Sequence, residues 1–124
     1  IEGIFFSHQD PDVSSGIALW LGVTSAKIYI AGLWIRFLPH FGIVDGSRVQ
    51  AIEELPADFR LGSGARLRFV PSHYMHSPGA YSLYDERARV LFSGDIGAAV
   101  FPEGGEDLFI EDFPKVLPYV EGFH

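Results

Sequence analysis

The apolar positions of this chain fall into short blocks punctuated by Gly, Pro, Asp and Ser, with no long periodic stretch. Residues 1–7 (IEGIFFS) form an apolar run that reads as a buried strand. Residues 14–23 (SSGIALWLGV) carry Ile17, Leu19, Trp20, Leu21 and Val23, too apolar a set for an exposed face. They predict a short, largely buried helix with Ser14 or Ser15 near its start. Residues 25–30 (SAKIYI) predict a strand ended by Ala31-Gly32, and residues 33–41 (LWIRFLPHF) a helix that Pro39 stops or turns. From Arg48 the texture changes. Residues 48–52, 65–70, 80–84 and 88–92 are short strand candidates separated by Gly, Pro and Asp turn chemistry. Arg66 and Arg68 alternate with Leu67 and Phe69, as in a sheet with one wet face. In the tail, residues 107–119, the run Ile110-Glu111-Asp112-Phe113 predicts one or two helical turns. Strand, helix, strand, helix and then several strands make a mixed α/β layered fold.

Composition narrows the class. The 124 residues suffice for one domain with a real core, and 48% hydrophobic content makes that domain globular. Ile1 lies inside an apolar run and no polar tail precedes His124, so both ends are expected to be cut from a longer protein. The formal charge of −7, with nine scattered Lys and Arg, argues against nucleic acid as a partner. Bound divalent cations would offset part of that charge. The chain has no cysteine, which excludes disulfides, thiolate metal sites and cysteine nucleophiles. No apolar run approaches membrane-spanning length and no basic signal region opens the chain. A soluble, cytoplasmic protein is the default expectation.

The candidate chemistry sits at the ends of predicted strands, where a scaffold holds loop residues in place. His8, Asp10 and Asp12 follow the first strand, His73 and His76 follow residues 65–70, Asp95 follows residues 88–92, and His124 ends the chain. Imidazole nitrogen and carboxylate oxygen suit iron and zinc, and manganese where oxygen predominates. A carboxylate can bridge two cations, so a mixed His and Asp set at several strand ends favours a binuclear site. In an extended loop, residues two apart point the same way, so His8, Asp10 and Asp12 are expected to converge on one pocket with Pro11 holding the loop extended.

The order of these motifs resembles the metallo-β-lactamase fold, and within it the di-iron branch of flavodiiron oxygen and nitric oxide reductases and oxygen-binding di-iron proteins. That branch opens on His-x-Glu-x-Asp-His, where this chain has His8-x-Asp10-x-Asp12-Val13. His76-Ser77-Pro78 matches its His-x-Pro turn, and Phe92-Ser93-Gly94-Asp95 matches its Phe-Ser-x-Asp strand end. The resemblance implies an αβ/βα sandwich, or a partial copy of one, holding two iron ions, with zinc or manganese as alternatives. It implies that His8, Asp10, His76 and Asp95 hold the first metal, and that Asp12, the bridging Asp95 and His124 hold the second. Val13 stands where the family has a histidine, which leaves the second metal a protein ligand short. With Asp10 in place of glutamate, the variation resembles the oxygen-binding proteins more than the reductases. The implied function is reversible binding of dioxygen as a sensor or carrier, with a redox or signalling partner and a homodimer as further options.

Blander readings compete at each position. His8-Asp10-Asp12 alone is also turn chemistry. His73, three residues before His76, would face the other side of an extended segment, so it is expected to lie outside the ligand set. His40 reads as a loop residue. Trp20, Trp34, Phe37 and Phe41 are expected to be core, and Tyr74 and Tyr81 pocket lining or sheet packing. Gly62, Gly64 and Gly94 are turn glycines, not a phosphate loop. A reductase would need electrons from a flavin domain that residues 1–124 do not contain. A zinc hydrolase of this fold normally has histidine where Asp10 stands. A metal-bearing scaffold that only binds partners is the remaining alternative, so whether the chain is an enzyme stays open at this point.

Overall fold

The computed structural model describes residues 1–105 and 109–123, and these divide into two compact units, Ile1–Gly94 and Asp95–His124. The first unit begins by alternating strand and helix. In order come β1 (Gly3–Phe5), α1 (Pro11–Ser14), α2 (Ile17–Val23), β2 (Lys27–Ile30), α3 (Gly32–Ile35), a 3-10 turn (Leu38–Phe41) and β3 (Val49–Ala51). The three strands pair in parallel in the order β1-β2-β3, with Ile4 opposite Ile28 and Tyr29 opposite Gln50. Parallel neighbours need crossovers, and the short helices supply them. A second 3-10 turn (Ile52–Glu54) leads on to an antiparallel sheet of β4 (Leu67–Pro71), β5 (Tyr81–Asp85) and β6 (Val90–Phe92). The mixed α/β layering expected from the sequence is therefore present.

The alternation along β2 explains how the layers adhere. Ile28 and Ile30 face one way, into a cluster with Phe6, Ile17, Leu38 and Ile43. Tyr29 and Ala31 face the other way and meet Ile52 and Tyr81. Both faces of the strand are covered, which is why its sequence shows no polar alternation. Tyr29, Phe59 and Phe69 form an aromatic wedge on this second face, with ring centroids 5.2 to 6.1 Å apart. Burying one such ring stabilises the fold by about 2 kcal/mol. The backbone joins the two sheets near the end of β1, where Tyr81 N–H donates to Ser7 O at 2.9 Å. Arg48 ties β3 to α2, donating from Nη1 to Thr24 O at 2.6 Å and from Nη2 to Leu21 O at 2.5 Å, so its charge caps the helix carbonyl end. On the wet face of β4, desolvation pushes the Glu86 carboxyl up, but the Arg68 and Arg66 guanidiniums outweigh it and hold its pKa below the usual value.

Several expectations are corrected. The single buried helix over residues 14–23 is two short helices broken at Ser15-Gly16, because Pro11 starts a helical turn early and Gly16 does not carry it through. Only Ile17 of α2 is buried; Leu19 is 75% exposed, and Trp20, expected in the core, is 43% exposed. Periodicity reports that a face is apolar, not that something covers it. The helix over residues 33–41 ends at Ile35, and Pro39 sits inside the 3-10 turn that follows.

The second unit contains α4 (Phe113–Glu121), which begins where the expected turn at residues 110–113 ends. Pro114 takes the first turn, where a missing N–H costs nothing, and Lys115 pairs with Asp112 at 2.9 Å. Among the described residues no helix is long and apolar enough to cross a membrane.

Candidate metal centre

β1 delivers His8 into the interior, where it is 1% exposed. Ser7 Oγ and His8 Nδ1 are hydrogen-bonded at 2.9 Å, which engages one ring nitrogen and orients the other toward Asp10. Ser14 Oγ donates to His8 O at 2.9 Å, so α1 folds back on the strand it follows. Asp10 is the last extended residue, with φ −59° and ψ 142°, and Pro11 opens the helix directly after it. The alternation expected of His8, Asp10 and Asp12 therefore fails beyond Asp10. Proline's fixed φ suits a first helical turn as well as an extended loop, and here the helix wins. Asp12 is delivered by the first turn of α1, where it is exposed.

The loop between β4 and β5, residues 72–80, presents His76. It is a series of turns, not the extended segment expected, with positive φ at Tyr74 (64°) and Gly79 (73°). Two straps hold it. Trp34 Nε1 donates to Pro78 O at 3.0 Å, and Gly79 N–H donates to His73 Nδ1 at 3.1 Å. A Cβ at Gly79 would lie 2.9 Å from Trp34 Nε1, so this residue needs glycine for space as well as for φ. His73 packs edge-on to Tyr81 at 5.5 Å. Burial first, and then the Glu53 carboxylate, hold the Tyr81 phenol above its usual pKa, so it stays neutral. Tyr74 is 84% exposed, so its ring points to solvent more than it lines a pocket. Trp34→Phe keeps most of the packing and loses the strap. A loss of about 1 kcal/mol in denaturant unfolding is expected, and an unchanged midpoint would show that the strap carries no stability.

The two loops meet at Asp10. His76 Nε2 lies 3.2 Å from Asp10 Oδ2 and His8 Nε2 lies 3.4 Å from the same oxygen, with the two rings 4.8 Å apart and nearly perpendicular. These are imidazole–carboxylate contacts. The same atoms also fit a cation. Donors about 2.1 Å from one tetrahedral ion lie about 3.4 Å from each other. Two imidazole nitrogens and a carboxylate oxygen are a donor set for iron or zinc.

The remaining predicted ligands are placed as follows. Asp95 opens the second unit directly after Gly94, and its carbonyl accepts from Ala98 N–H at 3.0 Å. His124 lies outside the described residues. His73 is a loop strap, its Nδ1 accepting from Gly79 N–H, in a run of turns and not the extended segment expected. His40 is exposed and lies 6.3 Å from the Phe37 ring, apart from the site. Val13 packs against the Phe6–Ile17 cluster and, with Phe5, Ser7, Leu83, Phe92 and Gly94, lines an apolar pocket of about 350 Å3. Gly94, at φ 63°, lies against Ser7, where an added Cβ would come within 2.9 Å of the Ser7 side chain. The sequence reading missed Ser7, Gln9, Ser14 and Ser77. Ser7, Gln9 and Ser77 each adjoin a predicted ligand, which is their only signal; Ser14 reaches His8 O from six residues on and carries none.

Three comparisons bear on this arrangement. A family model described as "ODP family beta lactamase" matches residues 1–124, the whole chain. The chain belongs to the ODP beta-lactamase family. Among solved structures, the ODP-family chain is 57% identical to the chemotaxis sensor ODP in its peroxy di-iron form, covering 100% of itself and 50% of that chain with a TM-score of 0.80. It is 61% identical to the apo state of the chemotaxis sensor ODP from T. denticola, with the same coverage and TM-score. A flavo di-iron protein from Thermotoga maritima is 26% identical over 97% of this chain and 29% of its own, with a TM-score of 0.68. The chain thus spans about half the length of the sensor structures it matches. These likenesses bear out the expected metallo-β-lactamase-like fold and its partial extent. No curated protein sequence matches it.

Proposed function

We propose that this chain is the metal-holding part of a non-haem di-iron protein that binds dioxygen reversibly, as an oxygen sensor or carrier. The observation that carries the reading is the convergence of His8 Nε2 and His76 Nε2 on Asp10 Oδ2. When bound, ferrous ions supply the electron density that dioxygen binding requires. The residues do the rest. His8, Asp10 and His76 would hold the first ion, with Asp95 as a further ligand shared with the second. Asp12 and His124 complete the second ion as far as side chains allow. Val13 donates nothing and walls the neighbouring pocket with hydrocarbon, which suits a small apolar molecule. Residues 1–124 act as one metallo-β-lactamase-like piece.

Sensing is favoured over reduction because the chemotaxis sensors are 57% and 61% identical to this chain and the flavo di-iron protein only 26%. The proposal includes a signalling partner, a cytoplasmic setting and a homodimer as one form of the assembled protein. The test is anaerobic loading with Fe(II), followed by metal analysis and optical spectra before and after air. Two irons per chain are expected, with an absorption band that appears in air and disappears on deoxygenation. Turnover of oxygen with added reductant would move the reading to a reductase. Zinc retained in preference to iron, with no optical change, would end it.

A further inference from the structure

Gln9 lies between the first two ligand residues and contributes no donor to the site, yet its side chain makes a bond at each end. Gln9 Nε2 donates to Asp10 Oδ1 at 3.0 Å, and Gln9 Oε1 accepts from Ser77 Oγ at 3.1 Å. Ser77 is 7% exposed and adjoins His76. The two ligand loops are therefore joined by parallel rungs, His76 to Asp10 and Ser77 to Gln9, across 66 and 68 residues of sequence. The carboxylate settles which way the amide faces. Asp10 Oδ1 only accepts, so the Nε2 donor is turned to it and Oε1 is left to accept from Ser77 Oγ.

We propose that Gln9, oriented by Ser77, is a positioning residue that engages Asp10 Oδ1 and so aims Oδ2 alone at the metal. The proposal rests on the metal reading of the preceding section. Oδ2 is the oxygen that both histidine Nε2 atoms approach, and Oδ1 is the one the amide holds. A neutral amide donor fills one oxygen's lone pairs without adding charge beside the cation. A charged partner would compete with the metal for the carboxylate. Asp10 has a short side chain with two rotatable bonds, so one hydrogen bond at Oδ1 is enough to choose its rotamer. Groups that orient metal ligands in this way typically contribute 10- to 100-fold in metal affinity.

The test compares wild type, Gln9→Met, Ser77→Ala and the double variant, each titrated with Fe(II) alone under argon and with Co(II) alone. Methionine matches glutamine in length and volume and cannot donate to the carboxylate. Gln9→Met is expected to weaken Fe(II) binding roughly 10- to 100-fold and to shift the visible Co(II) bands, which report a changed carboxylate ligand. Ser77→Ala leaves the Gln9 donor in place and is expected to weaken binding less. The double variant should match Gln9→Met alone, because both act through one carboxylate. The metal-free midpoint of unfolding is expected to change little. Wild-type affinity and unshifted Co(II) bands in Gln9→Met would overturn the proposal. So would equal losses in Gln9→Met and Ser77→Ala with a matching fall in metal-free stability, since the rung would then only stitch loops. Should wild type itself bind neither ion, the metal reading falls and takes this inference with it.

Discussion

Asp10→Ala is expected to weaken first-metal binding by more than about 100-fold while leaving the metal-free protein folded. Asp10 Oδ2 is the atom both imidazoles approach, at 3.2 and 3.4 Å. Without it, the described pocket of the first unit keeps two neutral nitrogen donors and loses its negative charge, so a divalent cation loses both a ligand and its main electrostatic attraction. The fold should tolerate the change because alanine keeps the backbone bonds here, although the carboxylate's contacts to His8, Gln9 and His76 are lost. Asp10 O accepts from Val13 N–H at 3.0 Å and Ser14 N–H at 2.8 Å, and alanine keeps both bonds. The Asp10 side chain is 37% exposed and caps nothing. Its removal should therefore lower metal-free stability by about 1–2 kcal/mol, without unfolding the chain. Metal analysis after dialysis, with a denaturant curve of the metal-free chain, checks both halves. Wild-type metal content in the variant would show that Asp10 is not a ligand.

Gly94→Val carries the largest expected cost in stability, about 3 kcal/mol. Two effects combine. The backbone sits at φ 63°, which a β-branched residue adopts at a cost of about 1–2 kcal/mol. A Cβ there would stand 2.9 Å from both Cβ and Oγ of Ser7, and overpacking at such a contact costs roughly 1–3 kcal/mol. Ser7 in turn holds His8 Nδ1, so the displacement should also loosen the metal donor. Gly64→Ala separates the two effects. It has φ 82° and no neighbour within 4 Å of an added Cβ, so only the backbone cost of about 1 kcal/mol applies. Denaturant midpoints of the two variants read the difference. Equal losses would mean that the contact with Ser7 contributes nothing.

How much of the site can be read from the sequence follows from what each signal measures. His8, Asp10 and His76 are legible because each follows an apolar strand and carries a metal donor, two properties that are local to the chain. Asp12 is legible as a residue but not in its setting, because Pro11 is compatible with both the extended loop and the helix that forms. His73 is set apart from the ligand set by an alternation argument that the structure does not bear out. The loop turns at Tyr74 and Gly79, and no alternation survives there. Trp20 shows the limit of periodicity. Its spacing matches a core residue, and in the first unit it is 43% exposed.

The sequence by itself determines the layering, the donor types and the absence of thiolate chemistry, since all three depend on composition and short-range pattern. It also determines that Val13 cannot bind metal where a histidine is expected. Only the tertiary structure decides that His8 and His76 share one oxygen of Asp10 and that Ser77 holds the Gln9 amide that engages the other. It likewise decides that Trp34 straps the loop that presents His76. The reason is distance along the chain. The bonds from Trp34 to Pro78, His76 to Asp10 and Ser77 to Gln9 span 44, 66 and 68 residues, so no local pattern reports them, and each costs loop closure that the packed sheets must offset.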